Sequence, residues 1–563
     1  MVDRFADGRP DHAQPPVDPS DPQGWHGGDL SGLIARVPAL AAMGVRTLWL
    51  SPISQSRQAK IGDWGAYHGY WVHNLGALEP RLATPDELRA LSATAHAHGM
   101  RLVLDVVWNH VAPDSPLRAQ QPTWFHQRGD IQRWDDPVQR IEGDVHGLPD
   151  LAQEQPQVRA HLLDATLLQL AGGADGLRID AVGHMPLDAL AALNDALDDK
   201  HPGGVWTLAE DFSGDPLRLR HTLKAGHFDA IFDFSLRYAL IDAVCAGKPA
   251  RLAATLELDR LWDDALAPGD EAPALVTFID NHDTERVLTA CGGDVARADA
   301  ALTLLFTLRG TPSLTWGTEA LQSGAREAEV RASMRWDTPA PRAAAIRTLA
   351  EARAEAPALR GRAGRTLQLQ DDHLLLVRGH GAQQALVLLN TSDSALRIDA
   401  PAALVGQPLR LQLAPGPQGP SLLPGGTLPP TLSVPARGVG VWVLEQAGPI
   451  GRRRLVSWPV VATAPVPPGH QLRIVGAGPE LGAWDPAQGV ILAPDGAGHH
   501  IGTLLLPQGG VPAMKLVIVG PNGDAPRFEP GPDRSPLLPD AASTLTLPWG
   551  APTAWQPGVA APL

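Results

Sequence analysis

Three carboxylates, Asp180, Glu210 and Asp283, each close a short apolar run that reads as a buried strand. A carboxyl pair, one member ionised and one protonated, is what cleavage of an acetal needs: the first attacks carbon and the second protonates the departing oxygen. The stretch Gly176-Leu-Arg-Ile-Asp-Ala-Val-Gly-His184 offers the ionised member. Side chains alternate along a strand, so Arg178 and Asp180 share a face while Leu177 and Ile179 point away. A guanidinium on that face keeps the carboxyl charged through charge-assisted hydrogen bonds. Taken alone, the stretch fits a structural Arg–Asp pair equally well. Repetition favours chemistry. Asp105, Asn109 and His110 close another strand, Glu210 a third, and Asn281, His282 and Asp283 a fourth.

Such groups must be carried by a repeating scaffold. Strands are expected at 45–52, 102–110, 176–182, 205–210, 230–235, 274–280 and 311–316. Between them, helical spacing predicts helices near 32–44, 85–99, 155–171, 186–198 and 295–309, the first on Leu33, Ile34, Val37, Leu40 and Met43. Strand-then-helix alternation implies parallel strands and an α/β fold, a (β/α)8 TIM barrel over 1–110 and 151–360. On that fold chemistry sits where the strands end, which is where these polar residues fall. Residues 111–150, rich in proline and without a helical period, read as an inserted subdomain. From 361 the pattern changes to short strands: an antiparallel β domain to 446, a linker at 447–454, and a second β domain, a β-sandwich, over 455–550.

Composition sets limits. The chain has 563 residues, 44% hydrophobic and 19% charged, enough for several cores. A net charge of -15 argues against nucleic acid or an anionic membrane surface as partner, and no apolar run is long enough to span a bilayer. Two cysteines are too few for a disulfide framework or a cysteine-built metal site. A monomer is expected.

The segments Asp-Val-Val-Trp-Asn-His (105–110), Gly-Leu-Arg-Ile-Asp-Ala-Val-Gly-His (176–184), Leu-Ala-Glu-Asp (208–211) and Phe-Ile-Asp-Asn-His-Asp (278–283), in this order, resemble the signature segments of the α-amylase family, glycoside hydrolase family 13. The loop Gly-Ala-Tyr-His-Gly-Tyr-Trp (65–71) is similar to that of its α-amylases and cyclodextrin glucanotransferases. The resemblance implies Asp180 as nucleophile, Glu210 as general acid/base and Asp283 as the carboxylate that stabilises the transition state. It implies sugar contacts from His68, Tyr70, His110, Arg178 and His282, and an acceptor-side contact from Phe212. It further implies a Ca²⁺ site built from Asn109, Asp150 and the His184 carbonyl, tying the insert to the barrel. At a second, N-terminal calcium site of some members, Asp7 and Asp29 fit, but Arg9 and His12 replace oxygen ligands. Gly183 stands where a lysine is common, and His146 where the cyclising enzymes carry an aromatic residue. Those enzymes also carry an additional β domain for which this chain has no room.

The last domain resembles starch-binding modules of family 20, with Trp484 and Lys515 in place and Phe528 for a second tryptophan. The implied activity is retaining endo-hydrolysis of α-1,4-glucosidic bonds in starch, glycogen or maltodextrin. The alternatives are a cyclodextrin-forming or other 4-α-glucan transglycosylase and, in another class, a non-catalytic starch-binding protein. Met1-Val-Asp-Arg-Phe-Ala-Asp-Gly8 carries no secretory signal. By the resemblance it is the end of the first barrel strand, so a truncated first strand of a few residues is expected. A start and export signal upstream of Met1 would make the enzyme extracellular or periplasmic; with Met1 as the true start it would be cytoplasmic.

Overall fold

The structure, a computed structural model, describes residues 1–9, 17–201, 203–262, 274–337, 340–423, 425–448, 450, 453–521 and 524–552. His12 and part of the linker lie outside these. The chain divides into two compact units, Met1–Phe234 with Pro273–Gly293 and Thr311–Glu351, and Ser235–Ala272 with Asp294–Gly310 and Ala352–Leu563.

The first unit is organised around a parallel sheet. In chain order its strands are β1 (Thr47–Leu50), β2 (Ser54–Ser56), β3 (Val72–Leu78), β4 (Arg101–Val106), β5 (Gly176–Ile179), β6 (Trp206–Ala209), β7 (Ala230–Phe232), β8 (Leu275–Phe278) and β9 (Thr311–Ser313). β2 and β3 form a separate antiparallel pair, and the others lie in the order β1-β4-β5-β6-β7-β8-β9, every neighbour parallel. This is the curled sheet of a (β/α)8 barrel. Its filling is aromatic: Phe232 and Phe234 meet Phe278 edge-on, and Trp49 leans on Phe232. The connecting helices start where the sequence marks them. Thr84 and Glu87 form a reciprocal cap for Pro85–Ala97, Asp29 caps Leu30–Ala42, and Asp215 with Pro216 opens Pro216–Ala225.

The expected first strand is not one. Val2–Arg4 form a 3-10 turn whose backbone bonds go elsewhere: Val2 N–H to the Ser51 hydroxyl, Arg4 N–H back to Met1, and the Asp3 carbonyl to Gly28 N–H. With these groups committed outside the sheet ladder the segment adds no strand, so among the described residues β1 and β9 each have one sheet neighbour. A cavity of about 150 Å³ beside them is lined by Leu33, Leu40, Trp49, Tyr70 and Trp316 among others. The insert differs too: Pro116–Gln120 and Pro137–Glu142 are helices, too short to show a period, the second capped by Asp136.

In the second unit a six-stranded antiparallel sheet spans Ala363–Leu369 to Val439–Leu444, packed around Leu375, Leu386, Leu388 and Trp442. A seven-stranded sheet between Leu455 and Pro548 has its own core around Trp458, Leu504 and Leu516.

Candidate active site

Arg178, on β5 and 1% exposed, holds the site together. β4 and β5 lie in a register that sets Asp105 directly opposite Arg178. Nη1 donates to both oxygens of Asp105 at 2.8 and 3.0 Å and to Asp180 Oδ1 at 2.6 Å, and Nη2 reaches Glu210 Oε1 at 2.8 Å. One guanidinium thus meets carboxyls delivered by β4, β5 and β6. Immediately after Asp180 the chain turns sharply: Ala181 takes φ +53°, the left-handed region that costs a residue with a side chain of order 1 kcal/mol or more. The turn aims the Ala181 N–H at Glu210 Oε2, 3.0 Å away. Asp105, noted in the sequence only as a strand-end carboxylate, is in fact the main partner of Arg178. It also accepts from the Tyr70 hydroxyl at 3.0 Å and Trp49 Nε1 at 3.2 Å.

Asp283 arrives on the loop after β8 and is held by a residue that sequence reasoning missed. Arg331 Nη2 donates to Asp283 Oδ1 at 2.6 Å, Nε donates to the His282 carbonyl at 3.0 Å, and Nη1 pairs with Glu327. Forty-eight residues separate Arg331 from Asp283 at no fixed spacing, so the sequence carries no signal for the pair.

The carboxyls are driven apart electrically. Burial raises Glu210 to about 8, the charges of Asp180 and Asp283 add to it, and Arg178 opposes them. For Asp283 burial pushes upward, but His282, Arg331 and Arg178 prevail and hold it down at about 2. Burial also lifts Asp105 to about 7 despite Arg178, and drops His282 to about 3, so that imidazole is neutral. Near neutrality the cleft therefore offers a protonated Glu210 facing an ionised Asp283, with Asp180 bound to a cation. That is the equipment for general-acid cleavage through a positively charged transition state.

The expected sugar-contacting residues cluster here. Tyr70 and His282 stack at 5.5 Å, 2° from parallel, with the Tyr70 hydroxyl 2.7 Å from His282 Nε2. His68 accepts the Tyr70 N–H on Nδ1 at 3.0 Å, and His110 Nε2 lies 3.1 Å from the Tyr70 carbonyl. Phe212, two residues past Glu210, packs on Phe234 yet stays 54% exposed. Trp108 is a packing residue, buried with its N–H on Thr166.

A family profile described as "Alpha amylase, catalytic domain" matches residues 1–342. The chain belongs to the α-amylase family. A second profile, "Starch binding domain", matches 458–546. The "Beta/alpha-amylase" of Paenibacillus polymyxa is 31% identical over 414 residues, 70% of this chain and 33% of that protein. The "Cyclomaltodextrin glucanotransferase" of Klebsiella oxytoca is 26% identical over 461 residues, 70% of each. An Anoxybacillus α-amylase structure superposes with a TM-score of 0.69 at 27% identity, over 80% of this chain and 97% of that one. The chain thus spans a third of the length of the Paenibacillus relative.

For an α-amylase-family chain the metal question turns on Asn109 and Asp150. Both are wholly buried, and Asn109 Oδ1 and Asp150 Oδ1 have no hydrogen-bond partner among the described residues, while Asp150 Oδ2 lies 2.6 Å from His126 Nδ1. Two orphaned buried oxygens facing no donor fit a hard cation. The His184 ring is turned away, its Nδ1 on the Arg140 carbonyl, which leaves the His184 main chain for the site. At the N-terminus, Arg9 Nε donates to Asp29 Oδ2 at 3.2 Å, and the other Asp29 oxygen caps its helix. In the starch-binding domain Trp484 (37% exposed) ends a tight turn, itself at φ +67°, and Phe528 is 41% exposed on the strand beside that of Lys515. Lys515 Nζ donates to the Gly531 carbonyl.

Proposed function

We propose that the chain is a retaining endo-hydrolase of α-1,4-glucosidic bonds in starch and related α-glucans. Asp180 attacks the anomeric carbon. Glu210 gives its proton to the leaving oxygen and later takes one from water. Asp283, held ionised by Arg331, stabilises the oxocarbenium-like transition state. The observation that carries this reading is the shared guanidinium: Asp180 and Glu210 accept from Nη1 and Nη2 of Arg178. One cation thereby gathers the two carboxyls on the same side of the cleft, the arrangement that covalent retention uses. His68, Tyr70, His110 and His282 shape the donor-sugar pocket, and the C-terminal domain keeps the enzyme on its polymer through Trp484, Lys515 and Phe528.

Product analysis on soluble starch tests this. Linear maltooligosaccharides released as α-anomers, seen by NMR before mutarotation, are expected. Accumulating cyclodextrins would replace hydrolysis by the transglycosylase reading, which the glucanotransferase relative and the exposed Phe212 favour. The absence of any product would leave a starch-binding protein.

We also propose that Asn109, Asp150 and the His184 carbonyl hold Ca²⁺. The ion would pin the insert to the barrel and take no part in the chemistry. At a Ca²⁺ concentration 100 times its Kd, binding to the folded chain alone contributes about 2.7 kcal/mol. Excess chelator is expected to lower the melting temperature and added Ca²⁺ to restore it. An unchanged midpoint, with metal analysis showing the protein stripped, would remove the ion.

A further inference from the structure

Glu210 protonates the leaving group, so whatever lies just beyond it faces the sugar that departs, or the one that accepts. Two side chains of this region are unexplained by the chemistry above. Phe212 is one. The other is Arg218, in the first turn of Pro216–Ala225, whose guanidinium grips Asp211 with Nε at 2.8 Å and Nη2 at 2.5 Å. Asp211 is the residue after Glu210, is 1% exposed, and also accepts from the Thr222 hydroxyl at 2.8 Å. Arg218 is one-third exposed, and its Nη1 has no hydrogen-bond partner among the described residues.

Gly183 explains how the guanidinium comes to be there. It lies three residues past Asp180, in the 3-10 turn Val182–His184. A Cβ at 183 would stand 2.5 Å from Arg218 Nη2 and 2.8 Å from Asp211 Oδ1. A side chain at 183 and the guanidinium compete for one place, and glycine cedes it to arginine.

We propose that Arg218 binds the acceptor-side sugar of an α-glucan, donating from Nη1 to a sugar hydroxyl, and that Gly183 is the residue that makes room for it. The inference rests on the glucan-hydrolase reading. Buried Asp211 fixes the fork in advance, so little side-chain entropy is lost on binding. Phe212 beside it supplies an apolar ring for the same sugar.

The test compares a substrate that spans the acceptor side, maltoheptaose, with one that has a donor sugar only, α-glucosyl fluoride. Arg218→Gln is expected to lower the ratio of their kcat/KM values by about tenfold or more, the loss appearing mainly in KM. Gly183→Ala, which removes no polar group, is expected to lower the same ratio by displacing the guanidinium. In the double variant the two losses should not add, because they act on one contact. Arg218→Lys keeps a charge for Asp211 and guards against misfolding; it should recover part of the ratio and the full melting temperature. Equal loss on both substrates would reduce Arg218 to a counter-ion for Asp211 and overturn the proposal, as would an unchanged ratio. Calorimetric binding of maltoheptaose to Glu210→Gln, with and without Arg218→Gln, decides the point independently of turnover. A wild type that binds but does not cleave maltoheptaose would overturn the hydrolase reading and leave that comparison standing.

Discussion

Glu210→Gln is expected to lower kcat on maltooligosaccharides by about 10²–10⁴-fold, the range that a positioned general acid contributes. The change is nearly isosteric: the contacts from Ala181 N–H and Arg178 Nη2 fall on different oxygens of Glu210, so the amide oxygen keeps one of them and only the other is lost. Fold and sugar binding should therefore survive while the proton is lost. Glu210 must be protonated before attack and its value is raised to about 8. Wild-type kcat/KM should accordingly fall as pH rises through about 8, and the variant should lack that descending limb. The loss should shrink on α-glucosyl fluoride, whose leaving group needs little protonation. A variant keeping more than a tenth of wild-type kcat on maltooligosaccharides, or the same basic limb, would take the acid role away from Glu210.

Arg178→Met should be the most destabilising single change in the site. It leaves Asp105, Asp180 and Glu210 buried together without their cation, and breaking a buried pair by removing one partner costs about 3–5 kcal/mol. The sign of the pH dependence follows from Asp105, whose folded value, about 7, lies above the roughly 3.9 of an unfolded aspartate. The folded chain therefore binds the extra proton between those values. Its stabilising effect is fully present below the unfolded value and is lost as pH rises through 7. Without Arg178, Asp105 and Glu210 hold their protons more tightly, which widens the window upward. The gap in unfolding free energy between wild type and variant should be largest above neutrality and narrow on acidification. A gap independent of pH would mean that the loss is one of packing and not of charge.

The groups proposed to do the chemistry were legible because each stands at a strand end or in the loop that follows it, within a recognisable segment. Asp180, Glu210, His282 and Asp283 arrive where the motifs place them. What supports them was not legible. Asp105 meets Arg178 through the register of β4 against β5, which neither strand encodes alone. Trp49 reads as an ordinary core residue of β1 until its N–H is seen on Asp105. Arg331 comes from a stretch with no pattern, and the left-handed turn at Ala181 falls on a residue that ordinarily avoids it. In the fold, the parallel elements were evident from their alternation. The 3-10 turn at Val2–Arg4 was not, because whether a short segment joins a sheet depends on partners that lie far off in the sequence.

The shared guanidinium bears on any effort to retune the working pH of this enzyme. Asp105 and Glu210 draw on the same cation, so their affinities for a proton cannot be adjusted one at a time. A neighbour that strengthens the hold of Arg178 on one weakens its hold on the other. Useful handles are groups that touch only one of the three cleft carboxyls Asp180, Glu210 and Asp283: Arg331 for Asp283, and the main chain at Ala181 for Glu210. Substitutions at those two contacts act directly on one carboxyl and reach the other only through the charge of Asp283, which itself raises Glu210, a separation that substitutions around Arg178 do not offer.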